Sequence, residues 1–276
     1  MSAVTTLLPP QAPPPAPVRP YTLSRFVGSV ALGIWLALTV GIFLTVVNGW
    51  DPAKFSRYAP NYLSGLGVTL LLVALSITLG AVVSLPLAFA RMSTNRFLSW
   101  PAYAYVYFFR GTPLLTQLFL VYYGLGSFSA ELKAIGLWGF FRDAWNCALL
   151  TFTLNTAAYQ AEILRGAIES VPRGQHEGAA SLGLPQRVTF FKIILPQALI
   201  VALRPYGNEI ILMIKGSAIV SIVTVFDLMG ETRRAFSRTF DYQTYLWAAL
   251  LYLMIVELMR NVWAWIEARL TRHLKR

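Results

Sequence analysis

The sequence predicts an all-α protein that is embedded in a membrane and crosses it with about six helices. The 276-residue chain is 56% hydrophobic and only 13% charged, whereas soluble domains are about 45–50% apolar and about 25% charged. Apolar stretches long enough to cross a bilayer recur along the chain, since about 20 helical residues span the hydrocarbon layer. This composition excludes a disordered or collagen-like chain. The single cysteine, Cys147, excludes an internal disulfide.

A proline-rich segment opens the chain, and we interpret residues 1–25 as an extended cytoplasmic tail. No charged residue occurs from 26 to 47, which predicts the first membrane-spanning helix. This stretch is too long for the apolar part of a typical signal peptide, and no small-residue cleavage site follows it. Residues 26–60 are therefore expected to form a membrane anchor and an external loop.

Five further apolar stretches complete the predicted set of spanning helices. The third helix of the set is interrupted by Arg110, Gly111 and Pro113, where we expect the backbone to bend. The fifth contains Pro205 and Gly207, which can kink or break a helix. The five stretches are 62–90, about 98–125, about 144–164, part of 195–225 and about 242–265.

Lysine and arginine are unevenly distributed between the predicted loops. If the N-terminus is cytoplasmic, the cytoplasmic loops carry more of these residues than the external loops do, as is typical of membrane proteins. The distribution therefore predicts that both termini are cytoplasmic. It also accounts for most of the net charge of +11, so we expect no nucleic-acid partner. Tryptophans near the predicted helix ends are interpreted as interfacial anchors: Trp50, Trp100, Trp138, Trp145 and Trp265.

The loop at 172–196 predicts a helix, a sharp turn and a second short helix on the cytoplasmic face. Pro172 is typical of a helix start and Gly183 of a helix end. Pro185 is expected to begin the second helix, which should end before Pro196. Small residues from 178 to 181 would allow a partner to approach closely, and apolar side chains nearby offer anchors: Leu182, Leu184, Phe190 and Phe191.

This loop resembles the E-A-A-x3-G-x9-I-x-L-P signature of ABC importer permeases. The spacing agrees throughout, and the one departure is Gly178, where the family usually has alanine. The resemblance implies that the loop couples the permease to its ATPase. The signature positions are Glu177, Gly178, Ala179, Gly183, Ile193, Leu195 and Pro196.

Three more segments, at 107–125, 153–175 and 208–218, resemble permeases of the polar amino acid subfamily. Within it the chain is most similar to the membrane subunits for histidine, lysine, arginine and ornithine and to importers of opines. The resemblance implies a type I ABC importer permease fold over 61–270 and a bacterial inner-membrane location. It implies an ATPase that binds ATP and Mg, a second permease in a homodimer or heterodimer, and a periplasmic solute-binding protein. Many relatives have five spans, so the first helix is an addition.

Polar residues at membrane depth are costly and usually face the bundle interior or a water-filled route. Asn155, Tyr159 and Glu162 share one helix face, which we interpret as a candidate substrate route. Glu162 can accept hydrogen bonds from a cationic solute, and Tyr159 can stack on its stem. The alternative is that Glu162 forms a structural pair with Arg165.

The fifth predicted helix carries a second polar set: Arg204, Asn208, Glu209 and Lys215. Arg204 and Asn208 are four residues apart and share a face, whereas Glu209 and Lys215 cannot meet within one regular helix. Each of these two is expected to pair across the bundle. Arg110 presents the same choice between structural pairing and contact with substrate. All of these residues remain candidates for the substrate route.

The sequence contains no motif for phosphate binding or for metal coordination. The G-x-x-x-x-G-K-[ST] pattern is absent, so ATP must bind to another chain. His176 and His273 are isolated, and Cys147 is expected to be a packed apolar side chain. Two alternative functions are an ion-driven secondary transporter and an intramembrane hydrolase. The first does not account for the cytoplasmic signature, and the second lacks a nucleophile with a nearby base.

Overall fold

The computed structural model describes residues 22–272, and nearly all of them are helical. This part of the chain contains no β-strand, which confirms the predicted all-α class. It divides after Trp50 into two compact units, which are described separately. Most of the predicted tail at 1–25 lies outside the described residues, as does His273.

The first unit contains one helix, α1 (Leu23–Asn48), none of whose side chains is buried. Its surface is apolar on all sides, as is typical of a helix surrounded by lipid. The hydroxyl groups of Thr39 and Thr45 donate to the carbonyls of Trp35 and Gly41, each at 2.8 Å. These polar groups are therefore satisfied without water, as the hydrocarbon layer requires. A helix covers the predicted first span and is long and apolar enough to cross a membrane.

The second unit contains the other helices and begins at Asp51. Two of its helices, α4 and α9, continue into π turns at Leu120–Gly124 and Thr189–Ile194, and α10 continues into a 3-10 helix at Ser217–Val223. In chain order the helices are α2 (Pro52–Met92), α3 (Arg96–Gly111), α4 (Leu114–Phe119), α5 (Ser129–Ala134), α6 (Trp138–Phe141), α7 (Ala144–Glu169), α8 (Arg173–Ser181), α9 (Gln186–Val188), α10 (Leu195–Gly216), α11 (Leu228–Thr239) and α12 (Gln243–Leu270).

Four helices within residues 22–272 are long and apolar enough to cross a membrane. They are α1, α2, the continuous segment Gln186–Val223 and α12, so the predicted count of six is not confirmed. The predicted third helix is divided because Thr112 and Pro113 end α3 and begin α4, as the bend at this point led us to expect. The fourth, α7, has sufficient length but carries polar side chains along it.

The first turn of α2 starts ten residues before the sequence led us to expect. The side chain of Asp51 accepts hydrogen bonds from the backbone N–H groups of Ala53 and Lys54 and so caps the helix. The ammonium group of Lys54 lies 3.0 Å from the carboxylate of Asp241 in the turn before α12. The backbone N–H of Gln243 and this ammonium group lower the pKa of the Asp241 carboxyl below its usual value. The extra turns are therefore fixed by a helix cap and by an ion pair.

The core of the second unit lies between α2 and α7, which pack along each other. Small side chains permit the close approach: a Cβ atom added at Gly80 of α2 would lie 2.5 Å from Cγ2 of Thr156 on α7. Phe152, Ala157 and Ala161 of α7 have no exposed surface. Close packing of this kind, rather than the hydrophobic effect, is what holds helices together in lipid.

The segment that leads into α10 differs from our expectation at Pro196. The second short helix of the loop does not end there, because α9 and the π turn Thr189–Ile194 run directly into α10. A proline cannot donate the hydrogen bond that a regular helix needs. The π turn just before it provides the local change in helix geometry at which Pro196 is accommodated.

The same helix also stays continuous at Pro205 and Gly207, so neither residue breaks it. Gly207 has a packing role instead: a Cβ atom there would lie 2.2 Å from the indole ring of Trp263 on α12. The indole N–H of Trp263 donates to the carbonyl of Leu203 at 2.7 Å. The glycine thus allows α12 to approach α10 closely.

Candidate functional site

The first candidate site is the exposed helix α8, which lies between α7 and α10. Gly183 has a φ of +68°, a conformation that favours glycine. The N–H of Leu184 donates to the carbonyl of Ala179 at 3.1 Å, and the N–H of Gly183 donates to Ala180 at 2.9 Å. These two bonds form a Schellman motif, which ends the helix sharply. The predicted helix end at Gly183 is confirmed.

One edge of α8 is buried and the remainder faces outward. Ala179 is 3% exposed and is the buried residue of this helix. Glu177 and Gly178 are exposed, and the side chain of Leu182 is 78% exposed. The first half of the signature therefore exposes a carboxylate, a small-residue surface and a large apolar side chain.

Two cavities flank α8, so the helix forms a ridge between them. His176 lines both, while Glu177 lines only the larger one. The larger has a volume of about 610 Å³ and is lined by Ile168, Glu169, Val171, Arg173, His176 and Glu177. The smaller has a volume of about 410 Å³ and is lined by His176, Ala180, Leu184, Gln186, Thr189, Phe190 and Ile194.

The second half of the signature lies where the loop enters α10. Ile193 and Leu195 are half-buried and Pro196 is exposed, while Ile194 between them has no exposed surface. Ile194 belongs to a buried cluster that also contains Leu164 and Ala161 of α7, so this turn is attached to the core. Movement of the loop would therefore be transmitted to α7 and α10.

The second candidate site surrounds Glu162 near the end of α7. Its carboxylate accepts two hydrogen bonds from Arg165, one of them from Nε at 3.1 Å. The guanidinium groups of Arg91 and Arg110 lie 3.7 and 4.0 Å away. Arg165 also contacts Glu169. The structural pair that the sequence left as an alternative is present, within a cluster that has more cations than carboxylates.

Arg110 is the cation of this cluster that the carboxylate holds least closely. Its side chain is 42% exposed, and its guanidinium carbon lies 5.3 Å from the ring centre of Tyr159. The cluster thus brings together Tyr159, Glu162 and Arg110, three of the predicted route residues. Arg110 of α3 therefore lies against the helix face that Tyr159 and Glu162 share.

Asn155, the third residue of that predicted face, lies in a different network. It is 5% exposed, and its amide N–H groups donate to the carbonyl of Phe109 at 3.1 Å and to Oε1 of Gln117 at 2.9 Å. The amide of Gln117 donates to the carbonyls of Phe109 and Thr112 and to the Thr112 hydroxyl. Together these bonds satisfy the carbonyl groups left free where α3 ends.

Glu209 faces the interior of the second unit and is 4% exposed. Its carboxylate accepts a hydrogen bond from the hydroxyl of Thr156 at 3.0 Å. Gln160 donates to the same hydroxyl oxygen at 3.1 Å and to the carbonyl of Ile77, also at 3.1 Å. This chain of bonds links α10, α7 and α2 through their polar groups.

The other polar residues of α10 form an exposed stripe. Arg204, Asn208 and Lys215 are spaced by four and seven residues, so they share one face. Arg204 donates to the carboxylate of Glu267 at 2.6 Å and is still 82% exposed. Asn208 and Lys215 form no hydrogen bond or ion pair with other residues between 22 and 272. A polar stripe on a helix of this kind is unsuited to lipid, so another protein surface or water must face it.

Sequence reasoning did not select Gln117, Gln160 or Arg91 as part of either site. A signal for Gln117 and Gln160 was available, because both are amide side chains within apolar stretches and so need a partner at membrane depth. Arg91 directly follows the predicted stretch 62–90. Its approach to Glu162 joins residues far apart in sequence, which periodicity cannot detect.

The described part of the chain has no group of three or more His, Cys, Asp and Glu side chains that could hold a metal ion. His176 is exposed. Cys147 has no exposed surface, and its thiol contacts the carbonyl of Phe141 at 3.2 Å. The thiol is therefore packed as an apolar side chain, as its setting led us to expect.

Comparison with known proteins identifies the family. The profile of the binding-protein-dependent transport system inner membrane component family matches residues 76–272. The chain belongs to this family. The nopaline transport system permease protein NocM of Agrobacterium fabrum is 40% identical over 217 residues, which are 78% of this chain and 90% of NocM. The histidine/lysine/arginine/ornithine transport system permease protein HisM of Escherichia coli is 38% identical over 213 residues, which are 77% and 90% of the two chains.

A solved structure supports the same assignment. The crystal structure of an amino acid ABC transporter with histidines has a TM-score of 0.72 and 34% sequence identity, and the match covers 80% of this chain and 99% of that one. This chain is therefore an inner-membrane permease subunit of an ABC importer and not an enzyme. Its partners are an ATPase subunit, a second permease subunit and a periplasmic binding protein. The family assignment excludes the hydrolase and the secondary transporter.

Proposed function

We propose that this chain imports amino acids, with basic amino acids or opines as its substrate class. The relatives supply the support: HisM serves histidine, lysine, arginine and ornithine, and NocM serves nopaline. In this proposal ATP and Mg bind to the partner ATPase, and the transport unit is 61–270. Both termini are cytoplasmic, which puts α8 on the side of the ATPase. The second permease is either another copy of this chain or a similar one.

The geometry of α8 is the observation on which the proposed coupling role rests. The helix is exposed, ends rigidly at Gly183 and forms a ridge between two cavities. In the proposal, the ATPase binds Glu177, Gly178 and Ala180 on this ridge. ATP binding moves α8, and the attached turn at Ile193 and Ile194 carries the movement into α10. The membrane helices then switch the solute path from one side to the other, a transition between two states.

A charge reversal on α8 tests this role. We expect Glu177→Lys in the reconstituted importer to reduce uptake at least about tenfold, because one unfavourable contact at a coupling interface costs more than about 1.4 kcal/mol. ATP hydrolysis should continue without uptake. Gln175→Lys is the matched control, since Gln175 is an exposed residue of the same helix. Wild-type uptake by the Glu177 variant in proteoliposomes would falsify the coupling role.

The proposed substrate route passes the cluster around Glu162. Arg165 is held by two carboxylates, whereas Arg110 lies 4.0 Å from Glu162 and is partly exposed. A guanidinium or ammonium group of the solute can therefore replace Arg110 at Glu162 and over the ring of Tyr159. Arg204, Asn208 and Lys215 line the route farther along α10 in this proposal, and Asn155 and Glu209 maintain its walls.

A neutral replacement at the cluster tests the route. Glu162→Gln should weaken uptake of arginine-like solutes about tenfold more than uptake of neutral amino acids, because only the cation loses a charge-assisted contact. Glu169→Gln is the matched control, since Glu169 also pairs with Arg165 but has no contact with Arg110. Uptake assays in which the two solute classes compete measure the ratio of the two losses directly. An equal loss for both classes would remove Glu162 from substrate recognition.

A further inference from the structure

A cavity where α2 ends and α3 begins has no part in coupling and shares only Arg91 with the Glu162 cluster. Its volume is about 710 Å³, and it is open on one side to the surroundings. Two arginines, a serine and two large aromatic residues supply most of its wall: Arg91, Arg96, Ser99, Trp100 and Tyr103. No carboxylate belongs to the wall, so the cavity is cationic.

The positive charge of the wall is only partly balanced. Arg96 is exposed and forms no ion pair with the residues between 22 and 272. Arg91 lies 3.7 Å from Glu162, but Arg165 binds that carboxylate more closely. The Nε atom of Arg91 is buried and has no hydrogen-bond acceptor. A buried donor without an acceptor is costly, so an acceptor beside Arg91 would be stabilising, while the guanidinium itself lies 4.8 Å from the ring centre of Tyr103.

The cavity lies at the level of the membrane surface. The uncharged stretch of α2 ends at Arg91, and the first turns of α3 expose large aromatic side chains. The exposed fractions are 89% for Phe97, 71% for Trp100 and 48% for Tyr103. Aromatic residues of this kind concentrate at the boundary between hydrocarbon and headgroups. The anion available at this level to an inner-membrane protein is a lipid phosphate.

We propose that this cavity binds the headgroup of an anionic phospholipid. Arg91 and Arg96 donate to the phosphate, since guanidinium groups match its oxygens in geometry. The hydroxyl of Ser99 adds a donor, and Trp100 and Tyr103 contact the glycerol and the upper acyl chains. Basic pockets between membrane helices commonly bind such headgroups. The lipid assignment depends only on the location of the protein in the membrane. An effect of the lipid on transport depends in addition on the proposed import function.

Lipid binding here would also affect the Glu162 cluster. Arg91 reaches both the cavity and Glu162, so a phosphate that attracts Arg91 leaves Glu162 with one cation fewer. The solute would then meet a carboxylate that is less fully neutralised. On this basis uptake should increase with the content of anionic lipid, and the cavity is a regulatory site.

Native mass spectrometry of the assembled importer tests the proposal. The complex is purified in mild detergent and titrated with cardiolipin, phosphatidylglycerol or phosphatidylcholine. We expect tight binding of the two anionic lipids, and about fivefold weaker binding to the Arg96→Gln variant, which lacks one basic side chain at the surface. Arg96→Lys should retain most of the affinity for these lipids.

The matched control is Arg269→Gln on α12. Arg269 also lies beside a tryptophan, 5.3 Å from the ring of Trp265, but it does not line this cavity. Equal losses in the Arg96 and Arg269 variants, or equal binding of phosphatidylcholine, would overturn the proposal. So would displacement of the lipid by millimolar inorganic phosphate, which would make free phosphate the ligand.

A second measurement uses a chain with the native arginines, in case the Arg96 variants fail to assemble. A photoreactive amino acid in place of Trp100 should cross-link to phospholipid in the intact complex. Cross-linking to the ATPase or to the second permease instead would make this surface a subunit interface and overturn the lipid assignment. Lipid binding is measured without transport, so its failure would leave the proposed import function untouched.

Discussion

The helices α7 and α8 follow each other in the chain, yet their surroundings are opposite. Most residues of α7 are buried, and its polar side chains form hydrogen bonds with α2, α3, α4 or α10. Only Ala179 is buried in α8, and its helix end is fixed by its own backbone. The difference shows that α7 holds the membrane helices together, whereas α8 is a preformed element whose surface is available to a partner.

The largest effect should come from filling the contact between α2 and α7. We expect Gly80→Val to destabilise the protein by about 3 kcal/mol, because the new side chain meets Thr156 and the backbone of Ala157. Gly67→Val in the same helix is the control, since no atom lies near its Cβ position. Thermal unfolding in detergent measures both. Equal melting temperatures would contradict the central role of the α2–α7 contact.

A smaller effect is expected in the polar network of α7. Asn155→Leu should cost about 2 kcal/mol because Oε1 of Gln117 loses its donor while still buried. In the double variant with Gln117→Leu, the combined loss should be smaller than the sum, since the two side chains bind each other. Melting temperatures of the four proteins give this coupling. A change in KM for uptake with unchanged stability would instead put Asn155 in contact with solute.

The smallest effect on stability should occur at the end of α8. Gly183→Val should cost about 1–2 kcal/mol, because the positive φ angle is unfavourable for a branched side chain. Gly183→Asn is the control, since asparagine tolerates this conformation. Both side chains have free space, so only the backbone differs. We expect the valine variant to lose uptake and the asparagine variant to keep most of it, as proteoliposome assays can determine.

Two of the departures from the sequence prediction concern prolines of α10. The sequence predicted a helix end at Pro196 and allowed a break at Pro205, but both prolines lie within continuous helix. The π turn accommodates Pro196 locally, whereas the contact of Gly207 with Trp263 is a tertiary one. The early start of α2 depends on the local Asp51 cap and on the Lys54–Asp241 pair, which joins residues distant in sequence.

The sequence by itself determined the helical class, the apolar first helix, the bend near Gly111 and Pro113, and the helix end at Gly183 in the loop at 172–196. These features depend on composition, on local backbone preference and on motif spacing, all of which are readable along the chain. Only the tertiary structure decided which polar groups meet. Arg91 and Arg110 reach Glu162 from α2 and α3, and Gln117 reaches Asn155 from α4. Helix packing determines these partners, because a polar group in lipid has no water to bind and must form its hydrogen bonds with groups on the neighbouring helices.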